Sequence, residues 1–290
     1  MKILLTGHLG QLATDLKSVF SQHDLVLTEL EDLPLEHTCR VLEFVQSHAP
    51  DLILNCAAYN RVDDAEDTPE PAFAANTFAP RNLALAARAC DATLVHFSTD
   101  YVFDGPDSLN TPYTEHDTPC PRSVYGVSKL AGELMVQSVW HKTFICRVCG
   151  LYGYAGSRDK GSNFVETMIA LARQGKPLKV VADQILTPTS TFDIATALPA
   201  LVASERYGLY HMTSAGQCSW FEFAQAIFEL SAIPADVSPV ASSAFPTKAK
   251  RPAYSVLENR SLRAAGLPDL RHWRDSLKAY LDGRAANGRT

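Results

Sequence analysis

Met1-Lys2-Ile3-Leu4-Leu5-Thr6-Gly7-His8-Leu9-Gly10-Gln11-Leu12-Ala13 is the stretch that decides the fold. Ile3 to Thr6 is a short apolar run that stops at Gly7, and Leu12, Leu16, Val19 and Phe20 then recur at helical spacing. A strand that turns through glycine into a helix lets backbone N–H groups approach a pyrophosphate, and the helix N-terminus adds a favourable dipole. Ala13 fills the third small position and still permits close helix–sheet packing. Gly7, Gly10, Gln11 and Leu12 are the expected phosphate-side contacts; the competing reading is a plain strand-to-helix turn.

The same rhythm continues outward. Leu25–Thr28, Leu52–Cys56, Thr93–Ser98 and Thr143–Val148 read as strands. Val41, Leu42, Phe44 and Val45 mark a helix that Pro50 ends, Ala72 to Cys90 reads as one long helix, and another is expected from about Val124 to Trp140. Strands alternating with helices predict an α/β fold, a Rossmann-type doubly wound parallel sheet with ligands at the strands' carboxyl ends. After about residue 150 prolines punctuate shorter segments, with helices expected at Phe164–Gln174 and Phe221–Leu230. The expected division is a dinucleotide-binding core over 1–150, with later segments threading back onto it, and a smaller carboxyl-terminal substrate lobe over 151–290. Ala285 to Thr290 read as a frayed tail.

Composition narrows the function classes. The chain has 290 residues, 20% charged and 46% hydrophobic, an ordinary globular balance with enough residues for a sizeable core. Its net charge is −6 with no block of Lys or Arg, so no nucleic-acid partner is expected. No apolar run reaches membrane-spanning length, and the first residues are too short an apolar run for a secretory signal. A cytoplasmic protein with reduced thiols is expected from the seven scattered cysteines. Cys146 and Cys149 form a lone CxxC, and the nine His show no ligand spacing, so no metal is expected.

An acidic side chain at the end of the second strand accepts hydrogen bonds from an adenosine ribose and repels a 2′-phosphate. Glu29, Glu31 and Asp32 stand there, and no Lys or Arg occurs from Ser18 to Cys39, so NADH is expected over NADPH. Tyr125 and Lys129 are spaced i, i+4 and share a helix face. An ammonium beside a phenol favours the phenolate, so Tyr125 is expected to exchange a proton with a carbonyl oxygen at a lowered pKa. Ser98 and Thr99, at the end of the fourth strand, are expected over the nicotinamide, with a hydroxyl on the same substrate oxygen.

At these residues a family resemblance enters. Gly7-x-x-Gly10 with Tyr125-x-x-x-Lys129 resembles the extended short-chain dehydrogenase/reductases, and Ser98-Thr99-Asp100-Tyr101-Val102-Phe103-Asp104-Gly105 resembles the dTDP-4-dehydrorhamnose reductase family. Asn55-Cys56-Ala57-Ala58-Tyr59, Leu130-Ala131-Gly132-Glu133, Asn163-Phe164, Ser219-Trp220-x-Glu222-Phe223 and Arg251-Pro252 extend the likeness over nearly the whole chain. The resemblance implies NAD(P)H-dependent reduction of the C4 ketone of dTDP-4-dehydro-β-L-rhamnose, with Thr99, Tyr125 and Lys129 as the catalytic residues. It implies cofactor contacts from Gly7, Gly10, Gln11, Leu12, Glu29, Asp32, Leu33, Ala57, Ala58, Tyr59, Ser98, Tyr125 and Lys129. Substrate contacts are implied for Thr99, Asp100, Tyr101, Val102, Phe103, Asn163 and Arg251, with Arg251 on the diphosphate, in a monomer or homodimer.

Two departures stand out. Gly150 occupies the place of a family Trp near the sugar, which leaves room for a different sugar. Asp15 matches one acid of an intersubunit Mg²⁺ site, but Phe192 stands where another is expected, so Mg²⁺ is not expected. Other nucleotide-sugar ketoreductases, epimerases and a non-catalytic cofactor-binding regulatory subunit, like that of methionine adenosyltransferase, are the competing readings. Dehydratases fit less well, because Tyr101 follows Asp100 where their second acid would stand.

Overall fold

In the computed structural model, which describes residues 1–104, 111–156 and 161–286, the Ile3–Thr6 run lies inside strand β1 (Lys2–Thr6) and helix α1 (Gln11–Val19) follows the glycine turn. The next elements are β2 (Asp24–Thr28), α2 (Thr38–His48), β3 (Leu52–Asn55), β4 (Thr93–Thr99) and β5 (Thr143–Val148). A sixth strand, Gly208–His211, comes from far along the chain and pairs parallel with β5, placing Tyr210 beside Cys146. All pairings in this sheet are parallel, and its spatial order is Gly208–His211, β5, β4, β3, β1, β2. The winding reverses between β1 and β3, so a crevice opens at their carboxyl ends, where Thr6 pairs with Asn55.

The buried strands read as near-continuous apolar runs because helices cover both faces. One face carries Leu4, Ile53, Leu94 and Ile145 against Val41, Val45, Leu83 and Ala87. The other carries Ile3, Leu5, Leu54 and Val95 against α1 and against Ile194, Leu198 and Leu201 of helix Thr191–Ala203. The first core is thus completed by residues from beyond position 190. A separate core joins helices Phe164–Ala172, Trp220–Ser231 and Trp273–Ala286 to the parallel strands Leu178–Val181 and Val237–Val240. Helix Trp220–Ser231 starts in a capping box, with Ser219 and Glu222 each satisfying the other's backbone N–H.

Two expectations are corrected. The long helix over Ala72–Cys90 is three pieces: Pro69–Phe73, a π turn over Ala74–Phe78, and Ala79–Cys90. Pro80 has no N–H and its ring clashes with the carbonyl four residues back, that of Asn76; widening the turn there relieves the clash. The last helix continues through Ala285 and Ala286, so these belong to an element, while residues 287–290 lie outside the described residues, as does Gly105. Among the described residues no helix is long and apolar enough to cross a membrane.

Candidate active site

A cavity of about 1000 Å³ runs from the glycine turn, past the ends of β3 and β4, to the lobe. Its size suits a dinucleotide beside a second ligand.

Gly7 adopts φ +64°, and a Cβ there would stand 2.8 Å from the Ala57 nitrogen, so both backbone angle and space demand glycine. Gly10 caps α1 without a side-chain acceptor for the first N–H groups of that helix. Gln11 and Leu12 line the cavity with both glycines, and Gln11 Oε1 is buried without a partner. Open helix donors and a glycine cradle that a Cβ would fill together fit a dinucleotide's phosphate end.

At the end of β2, Glu29 and Leu33 line the cavity and Asp32 does not. Asp32 instead accepts the Glu29 backbone N–H at 3.0 Å, closing the turn. Glu29 Oε1 accepts the Leu9 N–H at 2.7 Å, which ties the β2 end to the glycine turn. Ala57, Ala58 and Tyr59 line the cavity after β3. Asn76, missed from the sequence, fixes this loop: Oδ1 accepts the Tyr59 N–H at 2.9 Å, and Nδ2 donates to the Tyr59 carbonyl at 3.1 Å and to Ser128 Oγ at 3.0 Å. The only signal was its place ahead of Pro80 in an alanine-rich helix.

Thr99, Tyr125 and Lys129 all line the cavity. Ser123 caps the Tyr125 helix, Val124–Val139, through the Gly126 N–H. Tyr125 and Thr99 share one cavity wall, and the Tyr125 ring meets the Tyr101 ring edge-on at 5.6 Å. Burial raises the Tyr125 pKa, with Asp100 and Tyr101 adding to the rise and Thr99 opposing it. The expected lowering by Lys129 is therefore absent in this state. The Lys129 ammonium donates to the Phe97 carbonyl at 2.6 Å, and among the described residues no hydrogen bond joins it to Tyr125. Burial lowers the Lys129 pKa to about 8, against a rise from Glu133. A phenol with a raised pKa keeps its proton at neutral pH, so in this state Tyr125 carries the proton a ketone oxygen would need.

Ser98 lines the cavity, and its hydroxyl donates to Glu133. Glu133 also takes Arg147 through both carboxylate oxygens, with Nη2 at 2.7 Å and Nε at 3.0 Å. The pair is almost wholly buried, and with Lys129 it leaves one positive charge under the cavity floor.

Among the expected substrate contacts, Asp100, Tyr101, Asn163 and Arg251 line the cavity. Val102 and Phe103 do not: they are buried behind it with Tyr113, Tyr254 and Val256, Phe103 stacking on Tyr113 at 4.3 Å. Asn163 spends its side chain as a helix cap, accepting from the Glu166 N–H and donating to the Gly153 carbonyl at 2.8 Å. Arg251 is held by Asp63 at 2.8 Å and by the Tyr101 hydroxyl at 3.1 Å. Gly150, at φ +53°, lines the cavity; a Cβ there would meet Leu186 at 3.0 Å. Phe164 and Trp220, with ring centroids 4.6 Å apart, supply aromatic surface from the lobe. Cys146 and Cys149 are buried free thiols, and Asp15 accepts the Thr191 hydroxyl.

Comparison with known proteins decides the family. The profile of the RmlD substrate binding domain matches residues 1–285. A dTDP-4-dehydrorhamnose reductase of Streptomyces griseus is 42% identical over 283 residues, covering 94% of this chain and 91% of its own. The chain belongs to the dTDP-4-dehydrorhamnose reductase family. A solved member from Clostridium acetobutylicum superposes with a TM-score of 0.93 at 40% identity, covering 98% of this chain and 100% of that one. Another family member, from Bacillus anthracis and solved in complex with NADP, gives a TM-score of 0.92 at 36% identity, covering 97% and 99%.

Proposed function

We propose that this chain reduces the C4 ketone of a dTDP-linked 4-dehydro sugar, dTDP-4-dehydro-β-L-rhamnose first among them, using a reduced nicotinamide dinucleotide. The carrying observation is the convergence of Thr99, Tyr125 and Lys129 on one cavity that also opens to the glycine turn. When bound, the cofactor supplies a hydride. The chain's own residues do the rest. Gly7, Gly10 and the first turn of α1 hold the phosphates. Tyr125, kept protonated by burial, gives its proton to the ketone oxygen. Thr99 shares that oxygen. Lys129 and the Glu133–Arg147 pair set a positive field beneath them.

Arg251 holds the substrate diphosphate by exchanging Asp63 for phosphate oxygens, to which its planar fork is suited. Glu29, an acid lining the cavity at the end of β2, supports NADH over NADPH. Arg61 also lines the cavity, paired with Asp64 at 3.0 Å, and is the nearby cation the sequence reading passed over. Gly150 supports a sugar pocket unlike that of relatives with a Trp there.

Oxidation of NADH and NADPH across a panel of 4-keto dTDP- and UDP-sugars tests the reading. Turnover is expected with the dTDP-linked 4-keto sugar and NADH. Tight cofactor binding without turnover on any sugar would replace the reductase by a binding subunit.

A further inference from the structure

The helix that carries Tyr125 begins one residue earlier, at Val124, and its first N–H groups need acceptors from outside the helix. Two side chains supply two of them. Ser123, the capping residue, accepts the Gly126 N–H at 3.1 Å. Glu66 Oε1, from 58 residues upstream, accepts the Val124 N–H at 2.8 Å. Farther along, Asn76 donates to Ser128 Oγ at 3.0 Å, and the Thr77 hydroxyl donates to the Ser128 carbonyl at 2.7 Å. One segment therefore pins the helix at Ser128 and another pins its start.

Glu66 is itself anchored. It lies in a four-residue helix, Asp64–Asp67, beside the buried Ala65, and its N–H donates to the Asp63 carbonyl at 3.3 Å. Asp63, just before that helix, accepts the Ala249 N–H at 3.0 Å and holds Arg251. Asp67 pairs with Lys248. The short helix thus ties the Lys248–Arg251 loop to the start of the Tyr125 helix. A carboxylate on an N-terminal N–H makes a charge-assisted bond and faces the positive end of the helix dipole. The same first turn packs closely on Tyr101, where a Cβ on Gly126 would stand 2.4 Å from the Tyr101 carbonyl oxygen. Bonded to Glu66 and pressed on Tyr101, the turn that contains Tyr125 has little room to shift.

Resting on the reductase reading, we propose that Glu66 is a positioning residue for the reaction: by fixing the Val124 N–H, it holds the first turn of the helix where the Tyr125 phenol meets the ketone oxygen. Tyr125 lines the cavity and Glu66 does not. Its effect therefore falls on the rate of the chemical step and leaves binding alone. A carboxylate that served only to stabilise the helix would lower the unfolding midpoint when removed, with kcat unchanged in the folded protein.

The test cuts this one bond from both ends. Glu66→Ala should lower kcat by about tenfold, since a slightly misplaced reacting group is costly. KM for the 4-keto sugar nucleotide and the cofactor dissociation constant should stay within about twofold. Glu66→Gln keeps an oxygen acceptor at the same reach and should recover most of the lost kcat. Wild-type kcat in folded Glu66→Ala, a rise in KM as large as the fall in kcat, or Glu66→Gln as slow as Glu66→Ala would each overturn the proposal. Val124→Pro removes the donor instead, should Glu66→Ala fail to fold. Proline suits the first helical position, and Ser123, at φ −121° and ψ 151°, already has the extended backbone that precedes it. Val124→Pro should slow kcat as Glu66→Ala does, while Val124→Ala, which keeps the N–H, stays near wild type. Combining Glu66→Ala with Val124→Pro should be no slower than Glu66→Ala alone, because one bond cannot be lost twice; additive slowing overturns the proposal. Hydrogen exchange in ligand-free protein gives a readout apart from activity. Amides from Val124 to Val127 should exchange faster in Glu66→Ala, and unchanged exchange there counts against the role. Inactive wild type would sink the reductase reading and the positioning role together, whereas active wild type with an unaffected Glu66→Ala sinks the positioning role alone.

Discussion

On the sheet side of the cavity, Lys129 and Arg147 are each 2% exposed and lie beside a single carboxylate, Glu133. On the lobe side, the Arg251 side chain is 29% exposed and Lys248 is 62% exposed, and they reach across to Asp63 and Asp67. The chemistry of the pairs is alike, but their surroundings differ. A buried charge that loses its partner has no water to replace it, so the sheet-side network has one arrangement. A half-exposed pair is screened and trades one anion for another at little cost. The sheet wall is built to fix Tyr125, Thr99 and Lys129, while the lobe wall holds Arg251 on a carboxylate that a diphosphate can displace.

The largest effect should come from cutting the buried network. Glu133→Ala strands the buried Arg147 guanidinium and should destabilise the fold by roughly 3–5 kcal/mol in urea unfolding. Lys248→Ala should leave the unfolding midpoint where it was. Equal shifts in the two variants would erase the contrast between the walls.

Chemistry at the sheet wall comes next. Tyr125→Phe should lower turnover on the order of 10²-fold or more while the cofactor dissociation constant stays unchanged. Unaltered turnover in a folded variant would remove Tyr125 from the reaction.

A smaller effect belongs to the lobe wall. Arg251→Ala should raise KM for the sugar nucleotide by roughly tenfold, the size of one charge-assisted hydrogen bond, without touching cofactor affinity. Asp63→Asn should act oppositely and tighten dTDP binding, because the guanidinium is released. If titration with dTDP gives one affinity for wild type and both variants, Arg251 is not the diphosphate clamp.

The smallest effect is a pH slope. His211 is buried beside Arg147, and burial first, then that cation, lowers its pKa to about 3 from 6.5. The unfolded chain therefore binds a proton that the folded chain refuses between these values. Stability should fall as pH drops through that window, by up to about 1.4 kcal/mol per pH unit. Urea midpoints at several acidic pH values should show a shallower fall in His211→Gln than in wild type. Parallel slopes would show that His211 accepts its proton in the fold.

The parts legible in the sequence were those with local causes. The glycine turn, the strand–helix rhythm through β5, the capped helix of Tyr125 and the i, i+4 Lys129 all follow from spacing and side-chain type. What escaped depends on partners distant in the chain. Gly208–His211 carries too few apolar residues to announce a strand, and β5 makes it one. Glu133 was visible as a motif letter, but its work depends on Arg147 across the sheet and on Ser98. Val102 and Phe103 adjoin wall residues in the sequence, but the short 3-10 turn over Asp100–Val102 carries them behind the wall. Asp32 likewise sits among true wall residues but turns back onto Glu29.

One measurement bears most directly on the account: incubation with reduced cofactor deuterated at the transferable position and dTDP-4-dehydro-β-L-rhamnose, followed by NMR of the sugar. Deuterium is expected at C4 of the product, with one cofactor consumed per sugar reduced. A sugar altered without deuterium at C4, or with no net consumption of cofactor, would contradict it.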